Sequence, residues 1–100
     1  MKRIEIIFSQ ALREDLLEWI EAASKDLSPK PMYTLIPEVL GKGNSNPKMN
    51  DAVWPEVNEI IIIYTENDEF LKYVEDGVKK LQEQYPREGI AFFVMKFFAH

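Results

Sequence analysis

Residues Glu59-Ile60-Ile61-Ile62-Ile63-Tyr64, followed after two residues by Asn67-Asp68-Glu69-Phe70, decide the fold. Four consecutive isoleucines, β-branched and stiff at χ1, specify a strand. Asn67 then offers a side-chain oxygen to the free N–H groups at the start of a helix. Asp68 and Glu69 put negative charge at the positive end of its dipole. Phe70, Val74, Val78, Leu81 and Tyr85 form one apolar stripe at helical spacing. Pro86 stops that helix. Ile90–Phe98, apolar throughout except for Lys96, reads as the next strand.

The first half repeats this order. Ile4, Ile6 and Phe8 alternate with Arg3, Glu5 and Ile7 in a strand over Lys2–Phe8. Ser9 is placed to cap a helix whose stripe is Leu12, Leu16, Ile20 and Ala23, with Leu17 beside it. Glu14, Asp15, Glu18 and Glu21 lie mostly off that stripe, as solvated charge. Pro29 and Pro31 end the helix near Leu27. Met32–Leu40 reads as a strand that Pro37 confines to a sheet edge or a bulge. The result is β-α-β-β-α-β, a ferredoxin-like α+β fold expected to form one domain over residues 1–100: a four-stranded antiparallel sheet with both helices on one face.

Such a sheet shows alternation where its second face meets water. Ile60–Ile63 and Phe92–Met95 do not alternate; they are apolar on both faces. One hundred residues leave no further layer to cover the second face, so a homo-oligomer closed through it is expected.

Composition narrows the function. The chain has 17 acidic and 12 basic residues, a net charge of −5, which argues against a nucleic-acid binder that must displace counterions from phosphate. No cysteine is present, and His100 is the one histidine, so thiolate and His-rich metal sites have no ligands. Glu5 interrupts the apolar run after Lys2-Arg3, against a signal peptide, and no run is long enough to span a membrane. A cytoplasmic protein is the simplest expectation. The helix carboxylates lack a histidine or nucleophile signature, so no reaction is specified and the chain does not read as an enzyme.

The loop between Leu40 and Glu59 is the expected seat of function, because connections this long in a small domain are often binding segments. Gly41-Lys42-Gly43 lets backbone N–H groups approach an anion, and Lys42 and Lys48 make a positive island in an acidic chain. From spacing alone the stretch reads first as a hairpin connection whose Gly and Asn supply turn conformations. It is not a Walker motif. Trp54, next to Pro55, reads as an anchor packing the return limb against the body or a neighbouring subunit.

These segments together resemble the PII nitrogen-regulatory signalling proteins and their PII-like relatives. The resemblance covers nearly the whole chain. It lies in Lys2-Arg3-Ile4-Glu5-Ile6-Ile7, in Val39-Leu40-Gly41-Lys42-Gly43, in Val57-Asn58-Glu59-Ile60-Ile61-Ile62 and in Gly89-Ile90-Ala91-Phe92-Phe93-Val94. Ala52-Val53-Trp54-Pro55 is closer to the branch with shortened loops. The resemblance implies a homotrimer with an adenine nucleotide in a cleft between subunits. Gly41, Lys42 and Gly43 would lie on one side, and Arg87, Glu88 and Gly89 on the other. It also implies a loop that reports occupancy to a transporter or enzyme partner. No tyrosine lies between Gly41 and Asn58, so uridylylation is not implied. The lysine-bearing phosphate stretch of PII is absent before Gly89, where Arg87 is the substitute, and no Arg pair follows the last strand. Trp54 and Tyr85-Pro86 also resemble the trimeric CutA-type divalent-ion tolerance proteins. A ligand-free interaction module is the remaining alternative.

Overall fold

A computed structural model describes residues 1–40 and 57–98. The elements are β1 (Lys2–Ser9), α1 (Arg13–Ser24), β2 (Tyr33–Val39), β3 (Asn58–Thr65), α2 (Asp68–Gln84) and β4 (Ile90–Lys96). The strands form one sheet in the order β2-β3-β1-β4, with every neighbouring pair antiparallel. This is the ferredoxin-like arrangement expected from the element order.

Alternation decides which face packs. Ile4, Ile6 and Phe8 of β1 and Ile61 and Ile63 of β3 are fully buried, with Ile4 opposite Ile63 and Ile6 opposite Ile61. Leu16 and Ile20 of α1 and Phe70, Val74, Val78 and Leu81 of α2 close over them as one core. Each such side chain stabilises the fold by roughly 1.5–3 kcal/mol. Asn67 caps α2 as its position implies, its side chain accepting from the Phe70 N–H at 2.9 Å. β2 is an edge strand, and its pairing with β3 shifts register between Ile36 and Val39, around Pro37.

Several expectations give way to the tertiary structure. Ser9 does not cap a helix: it is the last residue of β1, its N–H donates to the Gly89 carbonyl at 2.8 Å, and a 3-10 turn over Gln10–Leu12 delays α1. Pairing with the chain just before β4 draws Ser9 into the sheet. Tyr85 falls outside the buried stripe, because α2 ends at Gln84 and the ring is left exposed. On α1 the buried position is Ser24, with Ala23 only half-buried. β4 ends at Lys96, and Phe98 is 94% exposed. β3 begins one residue earlier than expected, at Asn58, and Val57 before it is buried.

Among the described residues no helix lies on the second face of the sheet. Ile36 of β2, Ile60 and Ile62 of β3, Ile7 of β1 and Phe93 and Met95 of β4 lie on it, and Phe93 is 49% exposed. Its centre is polar: Arg3 pairs with Glu5 at 3.0 Å and lies over the Tyr64 ring. Among the described residues no helix is long and apolar enough to cross a membrane.

Candidate functional site

The end of the sheet where β1 finishes is built from main-chain contacts. Ser9 and Val39 both stand opposite Asn58, and Phe8 stands opposite Ile90. The Gln10 N–H donates to the Val57 carbonyl at 2.9 Å, tying the return of the long loop to the turn after β1. The exit of β2, the start of β3 and the turn before β4 therefore share one end of the molecule. Leu40, the last described residue before the loop, is exposed there.

Glu59 strengthens this end. The alternation that buries Ile61 and Ile63 puts Glu59 on the helix face as well, and its side chain is wholly buried. A buried carboxylate needs a partner, and Arg13 at the start of α1 provides one in a two-pronged pair, Nε to Oε1 at 2.7 Å and Nη2 to Oε2. The hydrogen bond that Arg13 donates to Glu59, then the charge of that carboxylate, raises the Arg13 pKa and holds the guanidinium in its charged form. From sequence Glu59 had no assigned partner, although the spacing Glu59, Ile61, Ile63 carried the signal that it faces inward. Ser9 adds a further buried polar group, a hydroxyl with no hydrogen-bond partner among the described residues.

The expected site residues are distributed as follows. Gly41, Lys42, Gly43, Lys48 and Trp54 lie outside the described residues. Arg87 is exposed in the turn after α2, which the Glu88 N–H closes onto the Tyr85 carbonyl at 3.0 Å. Gly89 is half-buried and not left-handed; an added Cβ there would meet nothing within 4 Å. Among the described residues nothing requires glycine at that point, and the space beside it is open. β2 and β4 are opposite edges of the sheet. Three strand spacings separate them, about 14 Å. Among the described residues no three His, Cys, Asp or Glu side chains gather as a metal-ligand set.

This architecture is the ferredoxin-like fold of PII-like proteins. The particular likenesses are to solved structures of CPII, a nitrogen regulatory PII-like protein from Thiomonas intermedia K12. One, bound to ADP and bicarbonate, is 21% identical, with a TM-score of 0.67 over 94% of this chain and 82% of that one. Another, bound to ADP, AMP and bicarbonate, is 18% identical, with a TM-score of 0.70 over 94% of this chain and 84% of that one. A de novo designed protein, Foldit4, is 13% identical, with a TM-score of 0.57 over 97% of this chain and 98% of that one. No protein-family model matches the chain, and no curated protein sequence does. A designed chain in the same set shows that the shared fold does not by itself carry a function.

Proposed function

We propose that this chain is a PII-like regulatory protein: a cytoplasmic homotrimer, one domain per chain, that binds an adenine nucleotide between subunits. Gly41, Lys42, Gly43 and Lys48 supply backbone N–H groups and positive charge from one copy, and Arg87 and Gly89 receive the ligand on the next. The loop between Leu40 and Val57 reports occupancy to a partner protein, with Trp54 anchoring its return limb.

The observation that carries this reading is the position of the loop exit and the 87–89 turn. They share one end of the sheet but stand on opposite edges. Within one subunit they are about 14 Å apart, so a compact site is most simply formed when the edge of one copy meets the opposite edge of another. The uncovered apolar face gives copies a reason to associate. The ADP-bound CPII structures of the same fold support the choice of nucleotide.

Thermal unfolding against ATP, ADP, AMP, cyclic AMP, bicarbonate and divalent ions tests the reading. A ligand at a hundredfold its dissociation constant stabilises the folded state by about 2.7 kcal/mol. A nucleotide-specific rise is expected, and Lys42→Ala should weaken it by about 1.5–3 kcal/mol, roughly 10- to 150-fold. A rise with copper or zinc alone would favour the ion-tolerance alternative. No rise with any ligand would leave an oligomeric interaction module.

A further inference from the structure

The groove between α1 and α2 plays no part in the effector site, and its chemistry points to a different ligand. Charge is segregated in this chain. Residues 13–24 and 68–84 hold nine acidic and four basic side chains, while the rest of the chain holds eight of each. The whole surplus of five negative charges therefore lies in the helical layer. Two of the four bases are engaged there, Arg13 with Glu59 and Lys72 with Asp76 and Glu75. Among the described residues no ion pair joins Asp15, Glu18 or Glu21 to a base.

An aromatic groove of about 450 Å³ runs through this acidic layer, with Asp15 and Glu18 on its α1 side. Trp19 and Tyr73 form its floor, ring centroids 5.3 Å apart and tilted by 34°. The indole is fixed in place, since Trp19 Nε1 donates to the Tyr73 carbonyl at 2.7 Å. Gly77 makes room for it: an added Cβ would overlap the indole ring. Glycine inside a helix costs about 1 kcal/mol relative to alanine, and seating Trp19 is what the glycine at 77 makes possible. The ring face is electron-rich, and the Lys80 ammonium already lies 5.2 Å from its centroid. Lys80 is exposed and, among the described residues, makes no ion pair that would hold it there. A guanidinium stacks on aromatic faces and pairs with carboxylates in a two-pronged geometry that an ammonium cannot match.

We propose that the α1–α2 groove is a docking site for an arginine-bearing, net-basic segment of a partner protein. The guanidinium replaces Lys80 over Trp19 and pairs with Asp15 and Glu18 at the rim.

The test follows the Trp19 indole N–H resonance of the full chain during titration with a short peptide alternating glycine and arginine. Its control is the same peptide with citrulline, neutral and nearly isosteric. A saturable shift is expected with the arginine peptide, weakened by about tenfold or more with citrulline, the scale of one charge-assisted contact. Asp15→Asn combined with Glu18→Gln should weaken binding similarly while leaving the circular dichroism spectrum and oligomeric mass those of the parent. Gly77→Ala, which unseats the indole without altering charge, should weaken it as well. An indole resonance that does not move, equal binding of the citrulline peptide, or undiminished binding by the doubly neutralised chain would each overturn the proposal. Nucleotide binding does not enter the readout, so failure here leaves the effector reading untouched.

Discussion

Arg13 and Glu59 show how much one pair can depend on context. Glu59 is wholly enclosed and Arg13 only half so, which makes the two substitutions unequal. Arg13→Ala strands an uncompensated carboxylate in the core, the costly way to break such a pair. Its thermal midpoint should fall by more than about 5 °C. Glu59→Gln, which keeps the shape and removes the charge, should fall less. Equal midpoints for Arg13→Ala and the parent would show that the pair does not hold the sheet end to α1.

Tyr85 offers a pH-dependent counterpart at the same scale. Its hydroxyl donates to the Asp15 carboxylate, and the hydrogen bond, then the negative charge, raises the tyrosine pKa above its ordinary value of 10.0. The fold thus favours the protonated phenol. That contribution is fully present below the ordinary tyrosine value and is lost as pH rises through the higher folded one. A tyrosinate absorbance titration of the folded chain should show one of its four tyrosines ionising late. Asp15→Asn should bring that group back towards 10.0.

At the scale of elements, α2 is held by its cap and its stripe together. Asn67→Ala removes the acceptor for the Phe70 N–H and should cost about 1 kcal/mol. That is a fall of roughly 4–8 °C in Tm for a domain of this size. Asn67→Gly should cost only a few tenths, because the backbone N–H groups are then left to water. Calorimetry of the two variants separates loss of the cap from general damage to the helix. The same element shows where periodicity misleads. Tyr85 continues the apolar spacing of Phe70, Val74, Val78 and Leu81, yet the helix ends before it and the ring turns to the outer groove. Ser9 illustrates the converse: a good capping residue taken into a strand because β1 has neighbours to pair with on both sides.

For the whole molecule the uncovered sheet face makes the strongest demand. Ile36, Ile60, Phe93 and Met95 cannot be buried by the described chain itself, and a second copy is the available cover. Light scattering should report a multiple of 11.7 kDa at micromolar concentration. Phe93→Asp, on the uncovered face of an edge strand, should shift the population towards the single-chain mass while circular dichroism stays unchanged. A single-chain mass for the parent would remove the reason for a site shared between copies.

Alternation and helical spacing were enough to specify the element order and most inward-facing residues, because these follow from local geometry that repeats every two or 3.6 residues. The cap at Asn67 and the edge strand with its register shift near Pro37 were legible from single residues, one offering an acceptor and the other lacking an N–H. The Arg13–Glu59 pair joins residues 46 positions apart, and Trp19 meets Tyr73 across 54. No local pattern brings such residues together. Sheet order and helix crossing do so, and they also set the loop exit and the 87–89 turn on opposite edges of one sheet end. The sequence alone determined the order of the elements and most of the apolar residues that face the core. The tertiary structure decided which distant charges and rings meet, because burial is a property of each side chain and contact is a property of the packing.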